Sequence, residues 1–365
     1  LAPELRFLLH TVAAGLDGAA VRAPAEISWP DFLACLNHHR LAPLIGPALR
    51  PEAGLPGPVR AELAQRHRAA TARAMALATE LARLARRFEA AGIEMLALKG
   101  PALSMLLFDD PCRRHCRDLD LLVRPGDEPA ARTLLAGCGY GTTPEAVFPA
   151  ANAVTLLDTR RRLTVELHVR IADDDRIFPL AAFRPFDSAL EMPFGGTTVR
   201  TLSREAAVVH AAHHGGKHWW LRLYWLADIA AATGRPNIRW PDVAALARRT
   251  GTERQLELAL RLSTALLGRR LPELPELDRR GLWAVRRNEA CLPKLLTVPP
   301  LADLETIRQA GRLRMLGNSL ALLRRPAARW GLLRVWLRPT ATDRAAMPLP
   351  PALEVLGYGV RIARI

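Results

Sequence analysis

Lysine is almost missing from this chain. Lys99, Lys217 and Lys294 are the only three among 51 basic residues, so arginine supplies the rest. Aromatic residues are also scarce, at 5%. Alanine, leucine and arginine dominate, which favours helix. A chain of 365 residues with this balance implies a helix-rich protein with one small sheet, in two or three domains or subdomains. Cysteines are few and odd in number, scattered at Cys35, Cys112, Cys116, Cys138 and Cys291. That argues against a disulfide framework and fits a reducing cytoplasm. No secretory signal pattern opens the sequence, and no apolar run is long enough to span a bilayer. The expectation is a cytoplasmic protein, with peripheral membrane contact left open.

Acidic residues number only 36, giving a formal charge of +15. A strongly basic surface attracts phosphates, nucleic acids or anionic membranes. An arginine excess this lopsided also follows from codon bias in a GC-rich genome, and the two readings weigh about equally.

Four stretches differ in texture. Residues 1–92 read as helices. Trp29-Pro30-Asp31 resembles a helix start, Pro51 to Pro58 is a turn-rich break, and 59–91 is one long amphipathic pattern that stops at Gly92. Residues 93–202 carry the strand signals. Ile93 to Leu98 is a short apolar run, Pro101 suits the first turn of a helix to about Phe108, and Asp118 to Val123 is a second strand. A helix over 128–137 follows. Ala153 to Asp158 and Leu163 to Val169 form a hairpin around the Asp158-Thr159-Arg160-Arg161 turn. Residues 203–338 return to helix, predicted at 203–214, 217–233, 241–249, 252–267 and 302–323, with a break at Gly215-Gly216. Residues 339–365 read as an irregular basic tail.

The chemistry sits in the second stretch. Strand side chains alternate faces, so Asp118 and Asp120 project together while Leu119, Leu121 and Val123 take the core side. Two adjacent carboxylates repel unless a cation lies between them, and Mg²⁺ or Mn²⁺ suits such a site. In strand 163–169, Thr164, Glu166 and His168 share the polar face. If it pairs beside 118–123, Glu166 completes a three-carboxylate cluster, as two-metal phosphoryl transfer requires. An Asp-x-Asp alone usually caps a turn or faces water; its place opening an apolar strand, after a Lys-Gly turn into a helix, gives it meaning.

These residues resemble a bacterial family of uncharacterised nucleotidyltransferases within the DNA polymerase β-like superfamily. The matching elements are Leu98-Lys99-Gly100-Pro101-Ala102-Leu103, Arg114, Asp118-Leu119-Asp120-Leu121-Leu122-Val123, and Val165-Glu166-Leu167-His168. The helical signature His214, Lys217, Trp219, Leu226 and Asp228 and the basic tail match as well. Two positions depart from the pattern. The superfamily's Gly-Ser at the helix start is Lys99-Gly100 here, as in abortive-infection toxins, and a small residue two before the first Asp is Cys116.

Lys99 stands where a strand turns into a helix, a place where exposed amides bind anions. With Gly100, Arg114, His214 and Lys217 it forms the expected nucleotide-binding set. His210 and His214 share a helix face, yet no cysteine or acid completes a zinc site. Asp228 shares a buried face with Leu221 and Trp225 and needs a partner, such as an arginine. Cys112, His115 and Cys116 read as loop residues. Segment 312–338, rich in arginine, leucine and tryptophan, fits a membrane surface, nucleic acid or partner helix less often than a plain solvated face.

Together these readings imply an α+β protein in which a small mixed sheet carries the site between two helical regions. The expected reaction moves a nucleoside monophosphate from a nucleoside triphosphate to a hydroxyl on a small molecule or peptide, releasing pyrophosphate. Asp118, Asp120 and Glu166 are the expected metal ligands and catalytic groups. The small acceptor is favoured because the arginines spread over every helical segment and form no single stripe. Two alternatives stand beside it: a toxin-like enzyme acting on tRNA, and a non-catalytic protein that binds a nucleotide or partner.

Overall fold

The computed structural model describes residues 1–50, 53–142, 152–297, 311–340, 343–344, 347 and 356–364. Helices α1 (Pro3–Asp17), α2 (Trp29–His39), α3 (Ala42–Ile45) and the long α4 (Gly57–Ala90) precede the sheet region. There follow β1 (Met95–Ala97), α5 (Gly100–Phe108), β2 (Leu119–Val123), α6 (Glu128–Gly137), β3 (Gly141–Thr142), β4 (Ala153–Asp158) and β5 (Leu163–His168). A short α7 (Leu180–Phe183) leads to β6 (Leu190–Phe194) and β7 (Thr197–Thr201). Then come α8 (Arg204–Lys217), α9 (Leu223–Thr233), α10 (Trp240–Thr250), α11 (Glu253–Leu267) and α12 (Arg279–Cys291), and helices Arg312–Leu322, Pro326–Leu337 and Gly357–Arg364. The α+β expectation holds, as a mixed seven-stranded sheet in the order β3-β4-β5-β2-β1-β7-β6.

Strand alternation explains how the sheet divides the core. Leu119, Leu121, Val123, Val165 and Leu167 point to one face and pack with Leu77, Leu81, Leu84 and Phe88 of α4. Leu96, Leu98, Leu122 and Leu202 point to the other face. There they join residues of α1–α3 and α8–α12 in the larger apolar cluster. The polar residues of β2 and β5 interrupt this second face.

Several elements differ from the sequence expectation. Asp118 lies just before β2, not within it. The β6–β7 hairpin is an addition: Gly195 and Gly196, at φ 56 and 75, supply the left-handed pair that such a turn needs. β7 then pairs in parallel with β1, Ala97 beside Thr201. The expected break at Gly215-Gly216 is absent, since α8 runs through to Lys217. Gly215 is there for space. A Cβ at that position would stand 2.2 Å from the Trp220 ring. The chain turns only afterwards, with Trp219 and Trp220 at φ 51 and 53. Bulky residues resist that conformation; Trp220 is held by burial, and Trp219 donates its indole N–H to Ser319 Oγ at 2.8 Å. Of the expected helix 302–323, residues 302–310 lie outside the described residues, as does much of the tail. The described part of the tail holds a helix rather than irregular chain, and Arg361 Nε anchors it to the Trp336 carbonyl at 3.0 Å.

Candidate active site

Three short elements build the site. β1 ends at Ala97, the chain passes Leu98-Lys99, and α5 begins at Gly100. Gly100 has φ +64, and a Cβ there would lie 3.4 Å from the Asp118 carbonyl. Glycine thus lets the start of α5 press against the entry to β2. The Lys99 ammonium reaches across to β2, where Nζ lies 2.6 Å from Asp120 Oδ1.

β2 and β5 run parallel, and Asp120 stands directly beside Glu166 in their register. Both project onto the face that carries Leu122. His168, two residues after Glu166, shares that face. Its Nε2 lies 3.2 Å from Asp120 Oδ1 and 3.5 Å from Glu166 Oε2. Asn152 Nδ2 donates to His168 Nδ1 at 3.3 Å and to the Ile171 carbonyl at 3.1 Å. The imidazole therefore presents Nε2–H to the carboxylates. Burial opposes its charging, but hydrogen bonds to Asp120 and Glu166 outweigh that and raise its pKa.

The two aspartates sit in opposite circumstances. Burial resists ionisation of Asp120, yet Lys99 and His168 hold its carboxyl well below the usual range. Among the described residues Asp118 makes no such ion pair; burial, then Asp120 and Glu166, outweigh Lys99 and Arg117 and push it up to about 6. Burial also disfavours the charge on Lys99, and Asp120, Glu166 and Asp118 more than restore it. Three carboxylates thus crowd around the Lys99 ammonium, and their mutual repulsion falls on Asp118.

The donor set suits a divalent ion. One ligand atom each from Asp120, Glu166 and His168 lies within 4.8 Å of the others. Carboxylate oxygens fit Mg²⁺ or Mn²⁺. The sequence pattern placed His168 on this face without a role. Asn152 carries no sequence signal, since it reaches His168 only through the β4–β5 pairing.

Asp118, Asp120, Glu166, Lys99 and Gly100 line one cavity of about 400 Å³, together with Arg114, His214 and Lys217. All the sequence-predicted site residues are therefore brought together, though three have prior engagements. Arg114 Nε lies 2.9 and 3.0 Å from the two carboxylate oxygens of Asp228, and both residues are buried. Lys217 Nζ is 3.0 Å from Asp173 Oδ2. His214 packs edge-on against Trp225, which His218 stacks upon with ring centroids 4.8 Å apart. Burial, reinforced by Lys99 and neighbouring histidines, lowers the pKa of His214 and leaves it neutral. Cys116 is a buried core thiol whose pKa burial pushes up to about 12.

No curated protein matches the chain. A crystal structure of an antigenic nucleotidyltransferase-like protein from Paracoccidioides brasiliensis is similar over 54% of this chain and 94% of its own, at 15% identity and a TM-score of 0.36. A family model described as "uncharacterised nucleotidyltransferase" matches residues 25–268, from α2 to the end of α11. That span includes every site residue named above and exceeds half of the sequence, so the chain belongs to the uncharacterised nucleotidyltransferase family.

Proposed function

We propose that this protein transfers a nucleoside monophosphate from a nucleoside triphosphate to an acceptor hydroxyl, with Mg²⁺ or Mn²⁺ as cofactor. The acceptor oxygen forms a bond to the α-phosphorus, the bond to the β-phosphate oxygen breaks, and pyrophosphate leaves. The observation that carries this reading is the register of Asp120 beside Glu166, with Asp118 and Lys99 converging on the same cavity.

Asp118, Asp120 and Glu166 would hold the metal, with His168 beside them. When bound, the ions would neutralise developing charge and sharpen the acceptor oxygen as a nucleophile. The remaining work falls to the chain. Glu166 is the most open of the acids, its side chain 36% exposed, and takes the hydroxyl proton. Lys99 and the uncapped amides opening α5 receive the triphosphate. His168, fixed by Asn152, keeps the Asp120 and Glu166 carboxylates oriented.

The test is pyrophosphate release from each of the four nucleoside triphosphates, with Mg²⁺ or Mn²⁺ and a cell extract as acceptor source. Release that needs metal and vanishes in Asp118→Asn supports the reading. Metal-independent release, or release unchanged in that variant, refutes it.

A further inference from the structure

A second depression adjoins the catalytic cavity. It lies between α2 and α4, has a volume of about 830 Å³, and shares Arg40, His115, Arg117 and Arg222 with the catalytic cavity as a common wall. The two are therefore one continuous surface. Beyond the shared wall the groove adds Arg66 and Arg73 of α4 and His38 of α2, over a floor of small residues including Ala69 and Ala70. Among the described residues no aspartate or glutamate lines it.

Among the described residues Arg73 and Arg40 are positioned by neutral groups. Arg73 donates to the carbonyls of Arg162 and Arg117 at 2.7 and 2.6 Å. Arg40 lies over the Tyr224 ring, 5.7 Å from its centroid. Arg222 donates to the His38 carbonyl. Arg66 does pair with a carboxylate, Glu62, at 2.6 Å, and also holds the Leu33 carbonyl. At Arg73 the backbone carbonyls fix the guanidinium without cancelling its charge. The excess is felt locally. Burial, with Arg222 and Arg117 adding to it, lowers the pKa of Arg40. Burial and then Arg40, Arg114, Arg117 and Arg222 push His115 down to about 4.

We propose that this groove binds the phosphodiester backbone of a nucleic-acid strand whose terminal hydroxyl enters the catalytic cavity as the acceptor. The naming of the acceptor rests on the nucleotidyl-transfer reading; the binding of the strand does not. A lone triphosphate does not account for the groove, because Lys99 and the start of α5 already face it and Arg66 and Arg73 line only the outer depression. Repeated negative charge along an extended ligand does account for it. This departs from the small acceptor expected from the sequence, where Arg40, Arg66, Arg73, Arg117 and Arg222 look dispersed.

The experiment is fluorescence anisotropy of the full chain with labelled 20-nucleotide single strands of RNA and of DNA, over stepped KCl concentrations. Inorganic polyphosphate and poly-glutamate serve as competitors. Ala69→Glu puts an acid on an exposed helical position of the groove floor, and Arg66→Ala/Arg73→Ala removes two cations. Each should weaken strand binding about tenfold. The double variant should also flatten the plot of log affinity against log salt by about 1.4, at ~0.7 per lost phosphate contact. Manganese-dependent binding of nucleoside triphosphate, followed by calorimetry, should be unchanged in all variants. The RNA and DNA arms show which sugar the groove accepts. Strand binding that is insensitive to salt, equal in Ala69→Glu and wild type, or displaced as well by poly-glutamate as by an unlabelled strand would overturn the proposal. Strand binding without any transfer would uphold the groove and refute the chemistry instead.

Discussion

Lys99 reaches from the end of β1 to place its ammonium 2.6 Å from Asp120, and no comparable contact supports Asp118 among the described residues. The two aspartates of one motif therefore differ in what they do for the fold. Asp120 is 3% exposed and holds both Lys99 and His168. Removing one member of a buried pair strands the other charge, at about 3–5 kcal/mol. Asp118 is instead repelled by its neighbours. In chelator, Asp120→Asn should lower the unfolding free energy by about 3 kcal/mol, whereas Asp118→Asn should change it little or raise it. Urea denaturation of both variants measures this. Equal destabilisation would show that Lys99 does not discriminate between the two acids.

Arg114, in the wall of the cavity, and Asp228 form a second buried pair that joins the loop before β2 to α9. Burial raises the pKa of Asp228 even with Arg114 beside it, so an unpartnered Asp228 would be costly. Arg114→Met alone should lose about 3–5 kcal/mol. Arg114→Met with Asp228→Leu should recover most of that, because apolar replacements of a buried pair are often neutral. Thermal melts of the two variants decide it. A double variant as unstable as the single one would mean that Arg114 acts on the fold through some other contact.

How much of this was readable in the sequence depends on separation along the chain. Asp118, Asp120 and Glu166 sit in short apolar strands whose alternation fixes their facing, so their convergence follows from local pattern plus one pairing. Lys99-Gly100 is similarly local. The Arg114–Asp228 pair spans 114 positions, and Asp228 alone could only announce that it needed a partner. The basic groove was invisible for the same reason. Arg40, Arg73 and Arg117 come from three elements whose meeting depends on tertiary packing. Gly195-Gly196 between two alternating runs does signal the β6–β7 hairpin locally. Gly215 misleads, because a glycine that makes room for Trp220 looks the same in sequence as one that ends a helix.

Glu80 should make the sheet-facing side of α4 sensitive to acid. It is 5% exposed, receives Arg83 at 2.6 Å and accepts from the Tyr140 hydroxyl at 2.8 Å. Burial works against its ionisation, but Arg83 and Tyr140 prevail and lower its pKa. A carboxyl depressed in the folded state contributes stability above its unfolded pKa of about 4.3. That contribution disappears as pH falls through the folded value. Glu80→Gln should therefore be less stable than wild type at pH 7, by about 2 kcal/mol, and the gap should narrow below pH 4. Denaturation midpoints from pH 3 to 7 measure it. A gap independent of pH would show that Glu80 acts by shape and not by charge.

Glu166 separates proton removal from nucleotide binding. It lies beside Asp120 in register, yet its side chain is 36% exposed where that of Asp120 is 3%. An acid that faces the open cavity can meet an incoming hydroxyl, while the buried one cannot. Glu166→Gln keeps the size and the neighbouring His168 contact but cannot accept a proton. Loss of a general base typically costs about 10²–10⁴-fold, so turnover should fall within that range. Affinity for the triphosphate should change far less, because Lys99, the start of α5 and the two aspartates remain. The two quantities are read from single-turnover rates at saturating nucleotide and from calorimetry with Mn²⁺. A variant that loses nucleotide affinity in proportion to its rate would make Glu166 mainly a ligand of the nucleotide-bearing metal. A variant with full turnover would move the proton to another acceptor.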